Sequence, residues 1–366
     1  MLNVVSQKEI QGFDELTRIL TKDGFKLFDK INVATDHFIT LNLDTEEIQL
    51  QKALRLHKNY YRGKIYTLQN KTINLVISQF SNILLRNRKG KVVLEKASEV
   101  FNSKTRRFFI PQKHKGGKFG KTKNYFILPK VKFGRGTKNI YKTNQNLKKV
   151  NMDDWLRFLG IFISDGYCNF NTLKRNYLIE IYQKKLNFYR DIEILLGKLP
   201  FNFKYSVVKS RFRCCNKQLS SYLSNLYSLS REKKIPKFIK DLHESHIKLF
   251  LEFLFKGDGC FKSNGELRYF ATTSRSVARE LPYLLCRVNK PFSMEIRPSP
   301  PFSRKKNKKS KKLLYFFHIK KGSNYGVGKY SIDLKQYCGN IYNIAIPNNT
   351  ILVERCGKIS WCGAYT

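Results

Sequence analysis

A chain of 366 residues exceeds the usual size of one domain, and with 42% apolar residues it lies far from the composition of disordered chains, so two folded modules are expected. Its 70 Lys and Arg against 27 Asp and Glu give a formal net charge of +43, a self-repulsion that calls for a polyanionic partner. No apolar run is long enough to span a bilayer and no basic amphipathic anchor stands out, which leaves nucleic acid ahead of a membrane surface.

The first residues, Met1 to Glu9, lack the basic-then-apolar order of a secretory signal. An intracellular, reducing setting without disulfides is expected, with cytoplasm, nucleus and organelle all open. The eight cysteines, Cys168, Cys214, Cys215, Cys260, Cys286, Cys338, Cys356 and Cys362, show no paired CxxC spacing and read as buried small hydrophobes rather than zinc ligands.

In chain order, short β-rich runs come first: Thr17–Thr21, Ile39–Leu43, Ile65–Leu68 and Ile73–Ile77. Such closely spaced strands predict a compact all-β unit. From Phe101 to Val150 acidic residues vanish while fifteen Lys and Arg appear among Gly, Phe and Tyr, a pattern suited to phosphate contact. After Asp153 the texture changes to helices, such as 154–162, alternating with strands, such as 201–208. A helix ending in Asp165-Gly166 is followed by strands and another helix, and the same order restarts with a helix ending in Asp258-Gly259. That interval suits a duplicated αββαββ unit rather than a solenoid. Beyond Tyr330 the chain is β-like again at 339–346 and 350–354, a tail able to rejoin the N-terminal β unit if the αβ part is an insertion.

The segments Phe158–Gly166 and Leu251–Gly259 both resemble the LAGLIDADG (DOD-type) motif of homing endonucleases. The resemblance implies two helices packed about a pseudo-twofold axis, with Asp165 and Asp258 projecting from their C-terminal ends into one active site. The first copy has Gly160 at the packing position and the second has Phe253, so close approach is expected to need local adjustment. A phosphodiester resists attack by hydroxide, and divalent cations held by carboxylates relieve that repulsion, so Asp165 and Asp258 are the expected ligands of Mg²⁺. Asp-Gly after one apolar helix would merely mark a turn; two copies at a near-regular interval favour the functional reading.

Lys233-Lys234-Ile235-Pro236 resembles the Lys-x-Ile-Pro block that precedes the second helix in intein endonucleases, which implies a catalytic lysine at Lys233, with Lys234 as the alternative, against the plainer reading of a solvated charge. Ala271–Ser274 followed by Ser276–Leu281 reads as a strand feeding a helix with Ser274 or Thr273 as N-cap. The expected DNA contacts are Lys118, Lys121, Lys123, Lys130, Lys132, Arg135 and Lys138, and a second cluster of Arg304, Lys305, Lys306, Lys308 and Lys309. The second cluster is also compatible with a nuclear-localisation signal or a solvated hairpin tip. Counterion release should make binding strongly salt dependent.

Thr17–Lys26 resembles the opening block of an intein, and Asn340–Pro347 its penultimate block. Splicing needs a nucleophile, a histidine and a terminal asparagine, whereas the matching positions hold Gly12, Ser81 and Ala364. The flanking domain is therefore expected not to splice. The expected fold class is α+β, a duplicated αββαββα endonuclease domain inserted in an all-β Hint-like domain. Residues 1–150 form the N-terminal Hint-like part with its basic extension, 151–332 the endonuclease with pseudo-repeats near 151–230 and 231–332, and 333–366 the C-terminal Hint-like part. The expected activity is site-specific, metal-dependent double-strand cleavage of DNA by a monomer with internal pseudo-twofold symmetry. The alternatives are an intein with residual splicing and a maturase-like nucleic-acid binder that does not cut.

Overall fold

The computed structural model describes residues 10–87, 89–102, 108–111, 114–115, 117, 119–131, 148–184, 186–227, 232–298, 312–320, 324–327 and 332–365. The chain divides into two compact units: residues 1–118 with 279–296 and 317–366, and residues 119–278 with 297–316. This division assigns 279–296 and 317–332 to the β-rich unit, whereas the sequence reading ran the αβ domain from 151 to 332.

The first unit opens with β1 (Arg18–Thr21), β2 (Gly24–Leu27), β3 (His37–Leu41), β4 (Ile48–Lys52), β5 (Arg55–Gln69), β6 (Asn74–Ser78), β7 (Asn82–Arg86), β8 (Val92–Lys96), helix α1 (Ala97–Asn102) and β9 (Phe108–Pro111). Its later strands are β20 (Asn324–Val327), β21 (Ile332–Ala345), β22 (Thr350–Arg355) and β23 (Lys358–Gly363). A large sheet runs β20-β9-β7-β23-β22-β1-β3-β4, with β2 on β1 and β8 on β7, and a smaller one runs β21-β5-β6. The C-terminal tail thus pairs with N-terminal strands, β22 with β1, β23 with β7 and β21 with β5. Phe13, Ile19, Phe28, Phe38, Leu68, Ile77, Ile344 and Ile351 share one core. The buried Asp14 carboxylate takes Nε and Nη2 of Arg355, whose Nη1 donates to Asn74, so a charge inside the unit is fully paired.

The β5–β21 pairing is longer than the sequence reading, extending without a break from Arg55↔Ala345 to Leu68↔Ile332. Residues 57–64 carry no hydrophobic alternation, and the tertiary contacts supply the reason. The Tyr61 hydroxyl donates to the Lys64 carbonyl at 2.9 Å and the Tyr337 hydroxyl to the Asn340 carbonyl at 2.9 Å. A Cβ on Gly63 would lie 2.7 Å from the Tyr61 hydroxyl, so each tyrosine ring lies over the glycine two residues on. Tyr61 pairs with Gly339 and Gly63 with Tyr337, so the two Tyr-x-Gly segments interlock across the ladder.

In the second unit β10 (Tyr125–Ile127) and β11 (Lys149–Asn151) form a ribbon that leads into α2 (Met152–Asp165). Then follow β12 (Gly166–Asn171), β13 (Asn176–Tyr182), α3 (Leu186–Lys198), β14 (Lys204–Ser206), β15 (Arg211–Cys215) and α4 (Lys217–Ser224). The order restarts with α5 (Glu244–Asp258), β16 (Gly259–Phe261), β17 (Leu267–Thr272), α6 (Arg275–Arg287), β18 (Phe292–Pro298) and β19 (Leu313–Ile319), of which residues 279–296 and 317–319 are counted with the first unit. Both halves therefore read αββαββ. The sheets, β12-β13-β15-β14 and β16-β17-β19-β18, share one strand order.

Asn151 caps α2 by accepting from the amides of Asp153 and Asp154. The Ser274 hydroxyl accepts from the Val277 amide at 3.2 Å, as expected of an N-cap of α6. The strand expected at 201–208 shrinks to Lys204–Ser206, because Val207 and Val208 form the exposed turn into β15. The cysteine expectation needs correction as well. Cys214, Cys286 and Cys362 are buried, but Cys215 at the end of β15, Cys338 within β21 and Cys356 in the turn after β22 are exposed.

Candidate active site

Helices α2 and α5 lie side by side in the same direction. A Cβ on Gly160 would come within 2.5 Å of the Phe250 carbonyl oxygen and 2.8 Å of the Leu254 amide nitrogen, so the backbones approach as closely as glycine permits. One turn further on, Gly257 meets Ser164 and Asp165, its absent Cβ standing 2.7 Å from Asp165 Oδ2. The adjustment required by Phe253 takes this form. Gly160 makes room for Phe253, whose Cβ is 3.0 Å from the missing one, and the second close-approach glycine moves to Gly257. The C-terminal ends of both helices, and with them Asp165 and Asp258, meet at one end of the pair.

Asp165 is half-buried and accepts from Gln183 Nε2 at 3.3 Å, while Asp258 is exposed. Gln183 escaped the sequence reading. Gly166 pairs with Ile181, which brings the end of β13 beside Asp165, and only that register reveals it.

Lys233 Nζ donates to the carbonyls of Phe162, Ile163 and Ser164, each at 3.0 Å, closing the C-terminal turn of α2. Burial lowers its pKa to about 8, against the upward pull of Asp258 and Asp165, so its ammonium feels both carboxylates. The backbone at Lys233 is anchored: the Ser274 hydroxyl donates to the Lys233 carbonyl at 2.6 Å and the Arg275 amide to the Glu232 carboxylate at 3.0 Å. Lys234 is exposed, its backbone amide donating to the Leu226 carbonyl.

Among the described residues no three His, Cys, Asp or Glu side chains converge on one point. A cation at the helix ends would have Asp165 and Asp258 as hard oxygen donors and would complete its shell with water and phosphate, a donor set that suits Mg²⁺.

Of the expected DNA contacts, Lys121, Lys123 and Lys130 are exposed, and Lys121 joins its backbone to Asp241 and His243 just before α5. Lys118, Lys132, Arg135, Lys138, Arg304, Lys305, Lys306, Lys308 and Lys309 lie outside the described residues. A basic face that the sequence reading missed lies on the β12-β13-β15-β14 sheet. Tyr167, Glu180, Arg213 and Lys204 share one register row, and Tyr182, Arg211 and Ser206 another. Arg211 and Arg213 both hold Glu180, at 2.8 and 2.9 Å. The alternation Arg211-Phe212-Arg213-Cys214, with Phe212 and Cys214 buried, was the available signal.

In the β-rich unit, Gly12, Ser81 and Ala364 are all buried. The Gly12 amide donates to Ser81 Oγ at 2.9 Å and the Ser81 hydroxyl donates to the Gly12 carbonyl at 3.1 Å. Gly363 packs against Asn82, next to Ser81. The three positions thus gather in one place, without a side-chain nucleophile at residue 12 or an amide side chain at residue 364.

No family model matches the chain. It is 25% identical over 278 residues to an ATP-dependent Clp protease proteolytic subunit of Chlamydomonas moewusii, covering 72% of this chain and 26% of that protein. It is also 25% identical over 253 residues to a DNA-directed RNA polymerase subunit beta C-terminal section of Stigeoclonium helveticum, covering 64% of this chain and 22% of that protein. The match spans about a quarter of the length of these curated relatives. Among solved structures, the homing endonuclease I-DmoI with its target DNA and magnesium is 18% identical at a TM-score of 0.32, over 46% of this chain and 89% of that one. I-WcaI bound to its DNA recognition sequence is 13% identical at 0.30, over 51% and 84%. The AceL NrdHF class 3 split intein is 15% identical at 0.23, over 38% and 71%. At TM-scores this low the site stands on its own geometry.

Proposed function

We propose that this chain is a site-specific homing endonuclease of the LAGLIDADG type that makes metal-dependent double-strand breaks in DNA, carried inside a Hint-like β domain that no longer splices. The observation that carries the reading is the convergence of Asp165 and Asp258 at the ends of two helices interlocked through Gly160 and Gly257, with the Lys233 ammonium bound to the last turn of α2 beside them. Asp165 and Asp258 would hold Mg²⁺, which when bound neutralises phosphate charge and activates water. Gln183 fixes one oxygen of Asp165, and Lys233 holds the end of α2 so that the carboxylate stays in place. Arg211 and Arg213 flank the site on a basic sheet face suited to a duplex backbone.

The insertion architecture is part of the proposal: an αβ domain placed between two β-rich segments of the chain that pair with each other. The pairing of β21, β22 and β23 with β5, β1 and β7 supports it. A mobile element also fits the curated relatives, since a protease subunit and a polymerase subunit have unrelated activities yet share this segment over only a quarter of their length. The test is incubation of the purified chain with Mg²⁺ and a randomised duplex library. Wild type is expected to cut a defined subset, and Asp165→Asn or Asp258→Asn to abolish cutting while binding stays within about tenfold. Cutting retained by the double variant overturns the assignment.

A further inference from the structure

We infer that the β5–β21 ribbon of the β-rich unit is a second duplex-binding face, formed by Lys58, Tyr60, Arg62 and Lys64. These residues alternate along β5 and therefore point to one side of it. All four are exposed, Tyr60 by 68%. Their cross-strand partners are Tyr342, Asn340, Cys338 and Gln336, none of them a carboxylate. Lys58 Nζ sits 5.8 Å from the centre of the Tyr342 ring, and the Tyr60 hydroxyl is within 2.8 Å of Cys338 Sγ.

The ribbon is preorganised for this role. On its other side Tyr61 and Tyr337 fill the space over Gly63 and Gly339 and lock the backbone through their hydroxyls, so the cationic side chains stand on a stiff support. From Lys58 to Lys64 the strand covers about 20 Å, the rise of roughly six nucleotides along one DNA strand. With three cations and a single exposed aromatic, the face suits tracking of a phosphate backbone rather than stacking of bases, which favours a duplex over single strands. A two-stranded ribbon also has the width of a major groove. The inference goes beyond the endonuclease reading, because this face would hold phosphate whether or not the chain cuts.

The test uses the full chain and a 60-base-pair duplex of random sequence, a length of roughly six helical turns that leaves room for both faces. Anisotropy across a salt series is compared for wild type and the triple variant Lys58→Gln, Arg62→Gln, Lys64→Gln. Each lost phosphate contact lowers the slope of log affinity against log salt by about 0.9, so a fall of two to three is expected. Lys58→Arg with Lys64→Arg should keep the wild-type slope, and ultraviolet cross-linking should join Tyr60 to the duplex. An unchanged slope in a triple variant that melts like wild type overturns the proposal. So does tighter binding of single-stranded RNA that the triple variant loses instead. Cleavage is scored separately with Asp165→Asn, so loss of the endonuclease reading leaves this result interpretable.

Discussion

Lys233 uses its whole hydrogen-bonding capacity on the backbone: an ammonium has three N–H groups and three carbonyls of α2 receive them. The sequence motif pointed to a lysine here, but its partners come from a helix some seventy residues earlier and were not legible. Burial brings its pKa from 10.5 to about 8. Between these values the unfolded chain holds the proton and the folded chain does not, so the contribution of Lys233 to stability rises with pH in that window. Below pH 8 both states are charged and the folded state bears the full cost of the buried ammonium. In metal-free protein, the stability of wild type minus that of Lys233→Met is therefore expected to increase by about 2 kcal/mol between pH 7 and pH 9.5. Urea unfolding at the two pH values measures it, and a difference that falls with pH contradicts the assignment of the lowered pKa.

At the scale of elements, two glycines in helices make opposite predictions. A methyl on Gly160 meets backbone atoms of α5 at 2.5 and 2.8 Å, which cannot rotate away, so Gly160→Ala must push the helices apart. The gain in helix propensity, about 1 kcal/mol, is smaller than the strain of overpacking, about 1–3 kcal/mol, and cleavage should fall with the shift of Asp165. Gly197 in α3 has nothing within 4 Å of its absent Cβ, so Gly197→Ala should stabilise by about 0.5–1 kcal/mol and leave activity alone. Chemical denaturation of both variants checks the contrast; equal effects would show that the helix contact is softer than drawn. The duplicated helices were readable because an apolar run and Asp-Gly repeat together. The β5–β21 ribbon was only partly readable: its middle is polar, and two interlocked Tyr-x-Gly segments replace hydrophobic alternation. Gln183 was hidden for the same reason as the ribbon, since a strand register is a tertiary fact.

For the whole molecule, the legible features were charge, duplication and the rejoining of distant β segments, because each is written in composition or in paired motifs. The surroundings of Gly12, Ser81 and Ala364 needed the structure. Gly12 is held at both its backbone groups by Ser81, and the Ser78 amide also donates to its carbonyl at 3.0 Å. That carbonyl belongs to a residue without a nucleophilic side chain, and no histidine stands at residue 81 to polarise it. A Cβ on Gly12 would lie 3.0 Å from the Tyr342 carbonyl oxygen and 3.1 Å from Ile341 Cβ, tighter than ordinary contact, so even a cysteine introduced there would require the β21 backbone to yield. At the other end Ala364 has no amide side chain to cyclise. Fused between two reporter segments, the full chain is expected to remain unspliced, and Gly12→Cys alone should not rescue it, because the Ser81 and Ala364 positions stay inert. A ligated reporter band on a denaturing gel, from wild type or from Gly12→Cys, would refute this account of the β unit.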